Sequence, residues 1–138
     1  MSQENVELTR AALNWFAELD EGLVGPEGWL KFFTPDALAT FSGFGVMDEQ
    51  MFRGFEFLEF RASWMEPYDD WLYEAKEVID AGASQVVVIL LQRGRPHGSD
   101  SWVEMDYGMV YTVEAGLISR AIFYAHPEQA LEAAGLRE

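Results

Sequence analysis

The 138-residue chain contains no cysteine. Disulfides, thiolate nucleophiles and cysteine-based zinc or iron–sulfur centres are therefore excluded. Cations are scarce: nine Lys and Arg stand against 24 Asp and Glu, a formal net charge of −15. Nucleic-acid binding needs clustered cations that neutralise phosphates. Only Arg93 and Arg95 lie close together here, so neither nucleic acid nor an anionic membrane is an expected partner. The acidity reads as a solvated, self-repelling surface. No run approaches the roughly 18 apolar residues that span a bilayer. The opening MSQENVELTR is polar and acidic, unlike a secretion signal; a soluble cytoplasmic protein is the expectation. Histidine occurs twice. His97 in RPHGSD and His126 before Pro127 fall in different elements and share no metal-binding spacing, so no metal or cofactor is expected. A G-x-S-x-G motif is missing, and GFG at Gly43–Gly45 lacks the lysine and context of a phosphate loop.

What is present is apolar and aromatic: 49% and 14% of residues respectively. That suffices for one core, and no linker or repeat divides residues 1–138, so a single domain is expected. From Gln3 to Leu19, Leu8, Ala12, Trp15, Phe16 and Leu19 share one helical face. After the break at DEGLVGPEG, a short helix carries Trp29, Phe32 and Phe33, and TPDA ends it. ALATF reads as a strand and SGFGVMDEQ as a loop. A third helix is expected over Phe52–Met65, with Phe57, Phe60 and Trp64 at helical spacing.

Beyond Pro67 the period changes. DWLYEAKEVID alternates weakly, and QVVVILLQRGR is a continuous β-branched run that needs cover on both faces. SWVEMDYGMVYTV and LISRAIFYA form an antiparallel pair about EAG. Pro127–Ala134 is a helix closed by Gly135. Helices gathered on an antiparallel or mixed sheet give an α+β fold, and a strongly curved sheet wrapped around one long helix would leave a concave, aromatic-lined cavity.

These segments, in this order, resemble the SnoaL-like branch of the nuclear transport factor 2-like superfamily. MSQENVELTRAALNWFAELDEG is similar to its opening helix, FFTPDA to its helix-to-strand corner, and FRGFEFLEF to the entry of its third helix. EVIDAGASQVVVILLQRGR is similar to its central hairpin, and MVYTVEAGLISRAIFYAHPEQALEAAGL to its last strands and terminal helix. The resemblance implies a cone-shaped α+β barrel holding a small organic molecule. It also implies a homodimer paired through the outer sheet face, to which Tyr111, Ile122 and Tyr124 would contribute.

Enzymes of this fold, such as ketosteroid isomerases, use a carboxylate to move a proton beside a carbonyl while buried donors hold the enolate oxygen. The matching positions here carry Trp15, Phe41, Gly108 and Met109, and the polar set is lost. His126 falls where relatives place an aspartate helix cap, and reads as the start of the last helix. Asp106 is the one carboxylate nominated as a general base. Period two sets Trp102, Glu104, Asp106, Gly108 and Val110 on one face of their strand. If that face looks inward, apolar walls would raise the Asp106 pKa. If the register is one residue off, Tyr107, Met109 and Tyr111 look inward instead.

The expected ligand-binding set is Trp15, Phe33, Phe60, Trp64, Asp106, Gly108, Val110, Ala121 and Phe123. Gly108 and Ala121 leave room among the rings. Three functions stay open: a binding protein for a small, mainly apolar molecule; an isomerase, cyclase or hydrolase working through Asp106, perhaps with Tyr107 or Trp15; or an interaction module with a filled core.

Overall fold

The computed structural model describes residues 2–136, with side chains from residue 3. Helix α1 (Ser2–Asp20) buries Ala12, Leu13, Trp15 and Phe16 along one face, as its spacing requires. A 3-10 turn at Pro26–Gly28 runs into α2, only Trp29–Phe32. Strand β1 (Phe33–Ser42) then begins one residue inside the expected helix. Phe33 caps that helix from an extended conformation and stacks on Trp29, ring centroids 4.0 Å apart.

The third helix is shorter than expected. Met51–Arg53 form strand β2, which pairs antiparallel with Leu38–Thr40 of β1. Helix α3 begins only at Glu56 and ends at Met65. Gly54 causes the delay: its φ is +56°, its N–H donates to the Ala37 carbonyl at 2.9 Å, and a Cβ there would lie 2.2 Å from the Pro35 oxygen. Only glycine fits so close a backbone approach.

Strands β3 (Tyr68–Gly82), β4 (Gln85–Pro96), β5 (Val103–Glu114) and β6 (Leu117–Tyr124) meander, and α4 (Pro127–Ala133) closes the fold. The sheet order is β2-β1-β6-β5-β4-β3, and β1 runs parallel to β6, so the sheet is mixed. The α+β expectation holds, with one strand more than the sequence suggested.

The apolar run of β4 explains how the layers stack. Val86, Val88 and Leu90 belong to the main core beneath α1 and α3. Val87 and Ile89 form a second cluster with Val110 of β5 and Ala130 of α4. All five β4 residues are buried. Much of the cover on the outer face thus comes from α4 of the same chain. Tyr111, expected on that outer face, is instead 2% exposed in the main core.

Candidate functional site

Strand β5 decides the site. Opposite Gln92, Leu90, Val88 and Val86 of β4 stand Met105, Tyr107, Met109 and Tyr111, and these four residues line a cavity of about 70 Å³. The odd-numbered residues therefore face inward, the second of the two registers open to the sequence. The even-numbered set faces out. Asp106 lies 3.7 Å from Lys76, its side chain 49% exposed, and Glu104 pairs with Arg93 at 2.9 Å. Gly108 lies under α4, and Val110 packs with Val87 and Ile89.

This corrects three of the nominated residues: Asp106, Gly108 and Val110 do not line the cavity. The physical reason is packing. Met109 and Tyr111 find the aromatic core on the inner side, whereas α4 needs a residue without a side chain on the outer side. Asp106 consequently has no apolar wall around it and stands half-exposed beside Lys76.

The aromatic nominees divide. Phe60, Trp64 and Phe123 line the cavity. Phe33 and Ala121 border a smaller hollow of about 10 Å³ with Phe123. That is at the lower bound for one water. The room expected beside Ala121 is thus taken up by neighbouring rings. Trp15 lines neither hollow; it is 5% exposed among Phe16 and Phe32, and its indole N–H is buried without a partner. His126 is exposed, is extended before α4, and makes no side-chain cap bond. Among the described residues no group of three or more His, Asp or Glu is placed to hold a metal ion.

The cavity wall is a set of interlocked rings. Phe123 stacks on Phe41 at 5.0 Å and on Phe57 at 5.6 Å between centroids. Each such contact adds about 0.5–1.5 kcal/mol beyond simple burial, which makes the floor rigid. The rim is looser, because Phe44, Trp64, Trp71 and Met105 are only half-buried.

Seven side chains with polar groups among those lining the cavity carry its chemistry: Arg61, Trp64, Trp71, Tyr73, Gln92, Tyr107 and Tyr111. Gln92 accepts a hydrogen bond from the Trp64 indole at 3.1 Å, and the Tyr73 hydroxyl donates to the Leu13 carbonyl at 2.7 Å. Arg61 forms a two-point pair with Asp20, Nη2 to Oδ2 at 2.8 Å and Nη1 to Oδ1. Its guanidinium lies 4.8 Å from the Phe16 ring centre and 5.6 Å from that of Tyr73. Burial alone would lower the Arg61 pKa, but Asp20 outweighs it and the net direction is up. The Trp71 indole N–H is buried without a partner. Among the described residues the Tyr107 and Tyr111 hydroxyls donate to no protein acceptor.

Burial pushes the Tyr107 hydroxyl up to about 12, with Arg61 opposing, and raises Tyr73 and Tyr111 as well. All three stay protonated near neutral pH. The site is thus rich in donors, and among the described residues no carboxylate lines it. Hydrogen-bond donors of this kind can hold an oxygen that carries negative charge.

Arg61, Trp71, Tyr73 and Gln92 are the polar members sequence reasoning missed. Arg61 shares the helical face of Phe57, Phe60 and Trp64, and a cation on an apolar stripe was the available signal. Tyr73 belongs to the weak alternation Trp71–Tyr73–Ala75.

No family model and no curated protein matches the sequence. Solved structures do match the fold. A SnoaL-like protein of Jannaschia sp. CCS1, provisionally named a polyketide cyclase, is 19% identical, with TM-score 0.70 over 99% of this chain and 94% of that one. A nuclear transport factor 2-like protein of unknown function from Burkholderia pseudomallei is 16% identical, with TM-score 0.70 over 94% and 95%. TerC, co-crystallised with polyporic acid, is 18% identical, with TM-score 0.68 over 96% and 98%. The chain thus shares the fold of these SnoaL-like and nuclear transport factor 2-like proteins.

Proposed function

We propose that this protein binds a small, flat, mainly apolar organic molecule in its cone, and that it does so without a general base of its own. The observation that carries this reading is a ring-lined hollow bordered by donors and, among the described residues, by no carboxylate. An apolar hollow of about 150 Å³ takes one benzene ring. The hollow here is about 70 Å³, so a one-ring ligand lodges partly in it and partly between the half-buried rim residues Trp64, Trp71 and Phe44. The TerC complex supports the reading by analogy, since that protein of the same fold was crystallised with polyporic acid. Proton transfer by Asp106, the alternative reading, draws no support from a carboxylate half-exposed on the opposite face.

The test is a titration of single-ring aromatic compounds followed by tryptophan fluorescence, because Trp64 and Trp71 border the hollow. Saturable quenching is expected. Phe123→Trp, which fills the hollow from its floor, is expected to abolish binding while the protein stays folded by circular dichroism. If that folded variant binds as well as the parent, the cone is not the site.

Pairing of two copies through the outer sheet face belongs to the same proposal. It is supported by exposed Leu72 (58%) beside the charged pairs of that face. Light scattering at twice the 15.7 kDa chain mass is expected, and a monomer would overturn it.

A further inference from the structure

A ligand enters the cone only if part of its wall gives way, a point that rests on the binding reading above. The hollow is about 70 Å³, and a single ring takes roughly twice that. The floor is fixed, since Phe123 stacks on both Phe41 and Phe57, and β4 and β5 are paired along the sheet. The loop that carries Phe44 is closed on itself: the Gly43 and Phe44 N–H groups both donate to Asp48 at 2.8 Å. The remaining wall is the passage from the end of α3 into β3, residues 64–71, which brings Trp64 and Trp71 to the rim.

That passage is fastened to the end of β4 and the turn after it. Trp64 donates to Gln92 at 3.1 Å, and Arg95 Nε donates to Asp70 at 2.8 Å. Between these two contacts lies His97. Its backbone N–H donates to the Pro67 carbonyl at 3.0 Å, and the Gly98 N–H donates to Asp69 Oδ2 at 3.4 Å. Its ring bridges the same segment, Nδ1 lying 2.5 Å from Asp69 Oδ1 and Nε2 2.6 Å from the Glu66 carbonyl oxygen. Both ring partners only accept. A ring protonated on both nitrogens donates to each; a neutral ring donates to one and turns a lone pair towards the other. Loss of one proton therefore replaces an attraction by a repulsion. The backbone contacts remain, so the passage loosens without coming away.

The charged groups around the ring are Glu66 at the end of α3, Asp69 and Asp70 on β3, and Arg95 on β4, 3.7 Å from Asp69. Asp100 follows in the ring's own turn. Ordinary carboxylates and guanidinium groups keep their charge near neutral pH, and imidazole does not. The Asp69 hydrogen bond, then the Glu66 carbonyl, raises the His97 pKa above 6.5. The fastening is thus complete in mildly acidic solution and is lost as pH rises through the raised value.

We propose that His97 is a pH-responsive latch on the mouth of the cone. Doubly protonated, it holds the α3–β3 passage and its two tryptophans closed over the hollow. Neutral, it lets them part, and an uncharged aromatic ligand enters faster.

The latch is read first without a ligand. Trp15 and Trp29 are buried and Trp102 is 46% exposed. In a Trp102→Phe background, acrylamide quenching therefore reports chiefly on Trp64 and Trp71. Quenching is expected to rise several-fold between mildly acidic and mildly alkaline buffer, with the midpoint at which NMR shows the His97 ring losing its proton. In His97→Gln it is expected to be flat. Asp69→Asn keeps an acceptor oxygen without the charge, and its midpoint is expected to fall. The second measurement is stopped-flow association of 4-nitroanisole, which quenches tryptophan and has no titrating group; its rate is expected to rise with the same midpoint. Quenching that is constant with pH, or that changes equally in His97→Gln, overturns the latch whether or not the cone binds anything. Association of 4-nitroanisole at a rate indifferent to that midpoint overturns it while the binding reading stands. Absence of binding at every pH removes the binding reading, and with it the gating of a ligand, even where the quenching titrates.

Discussion

A Cβ placed on Gly108 would lie 2.6 Å from the Cβ of Ala130 and 3.4 Å from the Pro127 Cα. The mid-strand glycine is the seat of the terminal helix. Ala130 is fully buried there, and no side chain at 108 lets α4 reach Val87 and Ile89 beneath it.

Gly108→Ala is therefore expected to destabilise the protein by about 1–3 kcal/mol, the usual cost of overpacking. Ala130→Gly should recover part of that loss in the double variant, although it weakens the helix by itself. Urea denaturation of the four proteins measures the coupling. Strictly additive effects would show that the two positions do not touch.

Asp106→Asn is expected to leave ligand binding unchanged and to alter stability by no more than about 0.5 kcal/mol. The carboxylate is half-exposed, and its Lys76 partner stands 3.7 Å away. Exposed pairs of this kind contribute little. A tenfold fall in affinity for any compound that binds would return Asp106 to the site.

These two positions show how much of the protein was legible before its coordinates. Helical spacing located α1, Pro127 and Gly135 bounded α4, and alternation together with the unbroken β-branched run of β4 marked the β3–β6 meander. None of these located β2, three residues whose strand identity rests on pairing with β1 rather than on pattern. The strongest ambiguity was β5. Alternation assigned its residues correctly to two sets, but both sets contain apolar side chains, Val110 in one and Met109 in the other. Which set faced the cone depended on where α4 would dock, a tertiary contact that no local pattern encodes. The glycine that sets the orientation looked like room for a ligand. In the structure it is room for a helix.

The β5–β6 turn offers a stabilising change. Ala115 has φ +52° and is followed by Gly116 at +82°, so an ordinary residue sits in the left-handed region. That conformation costs roughly 1–2 kcal/mol for most side chains, and asparagine tolerates it better. Ala115→Asn is expected to gain about 0.5–1 kcal/mol, seen as a higher urea midpoint with an unchanged slope. An unchanged or lower midpoint would mean that the turn is not strained.

His97 makes stability depend on pH in a direction that its bonding fixes. Nδ1 lies 2.5 Å from Asp69 Oδ1 and Nε2 lies 2.6 Å from the Glu66 carbonyl oxygen, and both partners are acceptors. Neutral imidazole donates through one nitrogen only, so the doubly protonated ring is the form this geometry fits. The Asp69 hydrogen bond, then the Glu66 carbonyl, raises the His97 pKa above 6.5, and the His97 bond chiefly lowers that of Asp69 below 3.8. Asp70, and Arg95 at 3.7 Å from Asp69, complete the charged surroundings. Because the folded His97 value is raised, its contribution is fully present below about 6.5 and is lost as pH rises through the folded value. The Asp69 contribution runs the other way: it is present above 3.8 and lost as pH falls through its lowered folded value. The contact joins the end of α3 to the β4–β5 turn, through the segment that connects cavity residues Trp64 and Trp71. Acidic self-repulsion elsewhere also varies with pH, so the measurement is a difference. The urea midpoint of the parent minus that of His97→Gln is expected to be largest in mildly acidic buffer and to shrink above neutrality. A difference that is constant with pH would mean that the ring is held by one hydrogen bond and carries no charge.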